Sequence, residues 1–368
     1  MVCDERKPQC SNCERHTSQC SFSIDAASSH LSPAPSAQGS QINTPINGDT
    51  SASPMTDPST VPGPAHDQPQ YELSLNIMDL ELLHYFHTST CYTLSNTAGL
   101  QTFFRVHCPQ MGFSSPFLLH ALLSLSALHL SNFKKGEAQA RYLTQTHYHL
   151  GVGLRTATSL LQNINSETCP PLYLFGTLCH IITLGMGPKP RDFLLFGDNG
   201  VAEWLVLFRG TRTIIETNYD ILRQSDLAPM FHISGQFLNV PPANNEHLQE
   251  LREMILHVAT NDPDLHLYLA ALDDLAKSFG AGTHPGTRAS QPSPQIVFVW
   301  LYRIKDDFVR KPIALIILAY FCVLLNDLSS FWWIKGWAAH LMSEVYASVG
   351  KDYRIWLQWP MEEIGWIA

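Results

Sequence analysis

Between Phe117 and Leu130 the chain is apolar on almost every side of a helix, through Leu118, Leu119, Leu122, Leu123, Leu125 and Leu128. A helix of that kind has no stable place at a surface and belongs in the centre of a large domain. Ser115-Pro116 ahead of it supplies a start, with Ser as N-cap and Pro at the first helical position. Composition agrees, since hydrophobic residues make up 45% of the 368 and charged residues only 15%. That length accommodates two or three domains at roughly 100–200 residues each.

The longest apolar run, Pro312 to Leu325, is closed by Asn326 and Asp327. A bilayer span takes about 20 residues, so this run reads as a second buried core helix and no membrane span is expected. Helical spacing also marks Asp79–Leu94, Glu137–Leu161, Leu172–Leu184, Ala202–Glu216, His247–Ala259, Leu265–Phe279, Gln295–Val309 and Phe331–Val349. No stretch alternates with period two, so the expected fold class is all-α. Ala281 to Pro294, rich in Gly, Pro and Ser, reads as an exposed loop.

Ahead of this helical body, from Tyr71 to the end, lie two segments of different character. Residues 23–70 are rich in Ser, Pro, Thr, Ala and Gln, and between Ala26 and Gln70 there is no aromatic residue, Lys or Arg. Such a segment buries too little apolar surface to offset the entropy of ordering, which predicts a disordered linker. Residues 1–22 are polar and hold four of the nine cysteines: Cys3, Cys10, Cys13 and Cys20. The polar start, without an apolar signal core, points to a reducing compartment rather than a secreted disulfide framework. There the front cysteines suit a metal, and the other five, spread through apolar sequence, suit small buried hydrophobes. The net charge of -9 gives the whole chain no basic footprint, so any contact with nucleic acid must be local.

The front spacing is C-x6-C-x2-C-x6-C, with Pro8 and Asp4-Glu5 favouring a turn between the halves. Two cysteines separated by two residues grip one metal from a tight turn, and thiolates suit zinc. This segment, with its Cys-Asp-Glu opening and Cys-Ser-Asn-Cys-Glu-Arg, resembles the later two-thirds of the fungal six-cysteine zinc-cluster domain. The resemblance implies that Cys3, Cys10, Cys13 and Cys20 are zinc ligands, standing where the family has its third to sixth cysteines. It also implies a nuclear, DNA-binding regulator of transcription. The family's first two cysteines and its basic helix have no counterpart here. Arg6, Lys7 and Arg15 are the cations left for DNA, and no Lys or Arg follows until Arg105. The expectation is thus an N-terminally truncated module that holds at most one zinc and lacks specific DNA affinity. A metal-free tail is the other reading of the same cysteines.

The helical body carries a second resemblance, to sterol-uptake-control-type regulators. It rests on Asp79-Leu-Glu-Leu-Leu-His-Tyr-Phe-His-Thr-Ser-Thr, on the run from Ser115 to Leu130, on Ala314-Leu-Ile-Ile-Leu-Ala-Tyr-Phe-Cys-Val-Leu-Leu, and on Trp332-Trp-Ile-Lys-Gly-Trp and Trp359-Pro. It implies a large helical regulatory domain over residues 71–368 that binds an apolar small molecule and forms a homodimer. Trp332, Trp333 and Trp337 are the candidate ligand-contacting residues, core packing being the plainer reading of each.

Other signals are weaker. His84 and His87 stand i, i+3 on a helix, but with 17 histidines in the chain such pairs arise by chance. His147 and His149 fall on different helix faces. No nucleophile elbow, P-loop, H-E-x-x-H or dinucleotide fingerprint is present, and the apolar helices offer few acid–base groups, so an enzyme is not expected. The leading reading is a regulator of a metabolic gene set, secondary-metabolite or sterol. Two alternatives stay open at this level: a DNA-binding-defective interaction protein acting through the helical domain, and a gene model that lacks an upstream exon.

Overall fold

The computed structural model describes residues 77–194, 196–197, 200–201, 203–237, 240–281, 293–304 and 311–368. The partial zinc-cluster module of residues 1–22, with Cys3, Cys10, Cys13, Cys20, Arg6, Lys7 and Arg15, and the linker of residues 23–70 lie outside them.

The fold is all-α. Helix α1 (Ile77–Thr88) is followed by a 3-10 turn (Thr90–Thr93), the short α2 (Ala98–Thr102), a π-turn (Phe103–His107) and α3 (Cys108–Ser114). The long helices α4 (Pro116–Ser131), α5 (Gly136–Leu160) and α6 (Cys169–Gly185) come next. Strands β1 (Phe196–Gly197) and β2 (Gly200–Val201) pair antiparallel over two residues each, too little to form a layer. Then follow α7 (Glu203–Gln224), α8 (Ala228–Phe237), α9 (Glu246–Val258), α10 (Leu265–Ala281), α11 (Pro294–Arg303), α12 (Pro312–Asp327), α13 (Trp337–Ser348), a 3-10 stretch (Lys351–Leu357) and α14 (Gln358–Ile364).

Two helices carry the core, and both are the all-round apolar runs of the sequence. On α4 every residue from Ala121 to Ser131 is buried, and on α12 every residue from Ile313 to Leu325. Helix α4 packs along α5 and against α1, α3 and α6, while α12 packs against α10, α13 and α14. Of the three buried serines in α4, Ser124 and Ser131 are hydrogen-bonded, whereas Ser126 Oγ has no partner among the described residues. Ser124 Oγ donates to the Thr146 carbonyl (2.9 Å), and Ser131 Oγ to the Leu128 carbonyl (2.7 Å). Helix α5 buries only one stripe, Tyr142, Thr146, His149, Gly153 and Ala157, as its i, i+3/i+4 spacing requires. At Gly153 a Cβ would stand 2.7 Å from the Phe175 ring and 3.0 Å from the Phe117 carbonyl oxygen, so α4, α5 and α6 meet there only because the residue is Gly.

Indole hydrogen bonds tie the C-terminal aromatics to the first half. Trp332 Nε1 donates to Thr93 Oγ1 (2.9 Å), and Trp337 Nε1 to the Leu184 carbonyl (2.9 Å). The five cysteines at 91, 108, 169, 179 and 322 are free and buried, as small hydrophobes. No helix among the described residues is long and apolar enough to cross a membrane.

Element boundaries depart from sequence expectation in several places, among them three with a plain physical reason. Helix α1 ends at Thr88 rather than Leu94, because hydroxyls of the Thr-rich run take backbone carbonyls: Thr88 Oγ1 donates to His84 O and Thr93 Oγ1 to Thr90 O. The helix expected from Phe331 begins only at Trp337. Gly336, at φ +88°, breaks the chain before it. Helix α8 had no counterpart in the sequence reading; Pro229 and Gly235 dilute its helical signal.

Candidate ligand cavity

Helices α6, α7 and α11 each turn one stripe toward a common space. From α6 come Tyr173, Thr177, His180, Ile181 and Leu184; from α7, Phe208, Thr211, Arg212, Ile215, Glu216 and Tyr219; from α11, Pro294, Gln295, Phe298, Val299, Tyr302 and Arg303. The offsets are those of one face of a 3.6-residue helix in every case. Met230, Phe231 and Phe237 of α8 close one side, with Leu94, Phe104 and Trp333 contributing from elsewhere. The cavity, open to solvent on one side, measures about 500 Å³. That lies within the roughly 300–1,000 Å³ of small-molecule sites, whereas a core of this size ordinarily packs without such a void.

The walls are fixed by close contacts. A Cβ on Gly176 would come within 2.5 Å of Thr211 Oγ1, so α6 and α7 touch at this point and only Gly allows it. Helix α7 then kinks at Asn218 (φ -132°, ψ 27°), next to Tyr219 on the wall. Phe231 packs between Tyr173 and Tyr219, with ring centroids 5.1 and 6.0 Å away.

The polar groups of the wall divide into the paired and the unpaired. Thr177 Oγ1 donates to the Tyr173 carbonyl (3.0 Å) and Thr211 Oγ1 to the Leu207 carbonyl (3.1 Å). Arg212 is paired with Glu216 (2.8 Å) and lies 5.2 Å over the Tyr302 ring, while Arg303 is paired with Asp274 (2.8 Å). Burial pushes the His180 imidazole down to about 4, so it is neutral at pH 7, and pushes the Tyr173 phenol up to about 12. Among the described residues, the buried wall atoms Trp333 Nε1 and Gln295 Oε1 have no hydrogen-bond partner.

The three tryptophans singled out in the sequence take three different places. Trp333 lines the cavity, 3% exposed, with its ring 6.0 Å from that of Phe298. Trp332 faces away, stacked on His129 at 4.8 Å. Trp337 is buried and held by Leu184. Most of the wall, from Tyr173 to Tyr302, was not singled out from sequence. The signal was present as amphipathic stripes, but a stripe that faces a cavity reads the same as one that faces a core. His84 is exposed and His87 contacts its own helix through the Leu83 carbonyl (3.1 Å), and no group of three metal-ligating side chains exists among the described residues.

This all-α body carries a mostly apolar cavity among its described residues. In comparison with known proteins, residues 81–240 match the fungal specific transcription factor domain. It is 24% identical to a Zn(2)-C6 fungal-type transcription factor of Gibberella zeae, over 98% of this chain and 82% of the relative. It is 26% identical to the Zn(2)-C6 fungal-type transcription factor afumD of Aspergillus fumigatus, over 62% of this chain and 54% of the relative. With sterol uptake control protein 2 of Candida albicans it shares 30% identity, over 51% of this chain but only 26% of that protein. These relatives are transcription factors, not enzymes.

Proposed function

We propose that this chain is a nuclear regulator of a metabolic gene set, secondary-metabolite or sterol, whose helical domain senses an apolar small molecule in the α6–α7–α11 cavity. The observation that carries the reading is the cavity itself: about 500 Å³ walled mostly by Phe, Tyr, Ile and Leu, with α6, α7 and α8 of its wall inside the region that matches a transcription-factor domain. In this reading residues 71–368 form the sensing body, residues 23–70 a tether, and residues 1–22 the DNA-facing module. Cys3, Cys10, Cys13 and Cys20 hold zinc there, four thiolates being a donor set that zinc takes. Arg6, Lys7 and Arg15 meet phosphate, and the body pairs as a homodimer.

The test is transcript profiling of three strains: one with the native chain, one lacking it, and one with Val299→Phe, which fills the cavity from α11. Loss of the chain should change a coherent metabolic gene set. Val299→Phe should leave protein level intact and abolish the response of those genes to the metabolite that controls them. If removal of the chain alters no transcripts, the regulator reading fails. If Val299→Phe responds as the native chain does, the cavity is not the sensor.

A further inference from the structure

We infer that the cavity selects an uncharged, mainly apolar molecule that carries a hydroxyl or carbonyl oxygen, and that Trp333 and Gln295 are the residues that read this oxygen. The inference rests on the cavity being a ligand site and goes on to say what enters it.

The hydroxyls of Thr177 and Thr211 are spent on carbonyls of their own helices. The Arg212 and Arg303 guanidiniums are each matched by a carboxylate, Glu216 and Asp274. Trp333 Nε1 and Gln295 Oε1 are buried without a partner among the described residues. A buried polar group left in that state costs about 1–3 kcal/mol, so a partner is to be expected. An indole N–H only donates, which requires an acceptor atom on the ligand. A carboxamide offers a donor or an acceptor according to which way it is turned, so Gln295 serves a hydroxyl or a carbonyl equally.

Phe298 neighbours both groups. Gln295 precedes Phe298 by one turn of α11, and the Trp333 ring lies 6.0 Å from the Phe298 ring. A single oxygen-bearing end of a ligand therefore meets this corner, while the rest of the molecule lies among Tyr173, Ile181, Phe208 and Phe231. Charge is selected against. A carboxylate would find both wall arginines already paired and Glu216 beside it; an ammonium would find no carboxylate without an arginine.

The test uses the full chain and a matched set of probes: dodecanol, dodecanone, dodecane and dodecanoate, with binding read by thermal shift and by titration at pH 7. The alcohol and the ketone should bind about tenfold or more tighter than the alkane, and the anion weakest of all. Trp333→Phe should bring the alcohol down to the affinity of the alkane and leave alkane binding unchanged, which also shows that the variant is folded. Gln295→Leu provides the same comparison if Trp333→Phe does not fold. If dodecane or dodecanoate equals dodecanol on the native chain, or if neither variant changes the alcohol-to-alkane ratio, the inference is overturned while the cavity remains a ligand site. If no probe binds, the cavity reading itself falls and this inference with it.

Discussion

The Nδ1 atoms of His120 on α4 and His149 on α5 lie 2.8 Å apart, so one of them donates its proton to the other. The second nitrogen of His149, Nε2, faces Asp79 Oδ1 of α1 at 3.4 Å. That approach does not meet hydrogen-bond geometry, so it is a contact of position rather than a shared proton. Three helices are thereby joined by one chain of groups, with His149 wholly buried and Asp79 nearly so. Removing the carboxylate leaves His149 inside the protein without its counterpart. Asp79→Ala is expected to lower the unfolding free energy by about 1–3 kcal/mol in urea titrations. A change below about 0.5 kcal/mol would mean that the contact contributes nothing to the docking of α1.

Three histidines are held neutral by burial, and this sets a pH dependence. Burial pushes His129, His149 and His180 each down to about 4, from an ordinary value of 6.5, with His120 adding to the effect at His149. Between those values the unfolded chain binds protons that the folded chain does not, so stability rises with pH. It is fully present above about pH 7 and is lost as pH falls through 6.5 toward 4, at no more than about 1.4 kcal/mol per pH unit for each group. Denaturation midpoints measured from pH 8 to pH 4.5 should stay level and then fall. A midpoint unchanged at pH 5 would show that these imidazoles are not buried as described.

What the sequence disclosed about this fold follows from where periodicity is informative. The helices α4 and α12 were legible because an all-round apolar run has only one place to go, and both are buried through their apolar runs, Ala121 to Ser131 and Ile313 to Leu325. The cavity was not legible. Gln295, Phe298 and Tyr302 lie on a stripe like any core stripe, and the void between them and α7 depends on contacts far apart in the sequence. Trp332 and Trp333 are neighbours with opposite roles, because adjacent side chains in a turn point in different directions. Composition marks such residues as important to packing and leaves their direction open.

That distinction separates two tryptophan substitutions. Trp337 is 2% exposed and its Nε1 is bound to the Leu184 carbonyl, so Trp337→Ala removes a large core side chain and strands that carbonyl. The expected cost is about 3–5 kcal/mol, read as a large fall in melting temperature without any ligand. Trp333→Phe keeps most of the ring volume and gives up only an N–H that has no partner among the described residues. Its melting temperature in the absence of ligand should equal or exceed that of the native chain. If Trp337→Ala melts like the native chain, Trp337 is not the core element that its burial implies.

Zinc stoichiometry follows from which thiols can ionise. A metal takes the thiolate, and burial in apolar surroundings opposes its formation. Burial pushes the Cys108 and Cys322 thiols far above their ordinary range and that of Cys179 up to about 12, and it raises Cys91 and Cys169 as well. All five are scattered, and no three metal-ligating side chains come together among the described residues. The thiols left for a metal are Cys3, Cys10, Cys13 and Cys20, enough for one tetrahedral four-thiolate site, and such a site supplies on the order of 10 kcal/mol of folding-coupled binding. Elemental analysis of the purified 368-residue chain should return one zinc per molecule. Cys13→Ser should release it without altering the helical circular dichroism, because no group of three metal-ligating side chains stands among the described residues of the helical body. Two zincs per chain, or zinc retained in Cys13→Ser, would require ligands from outside this set.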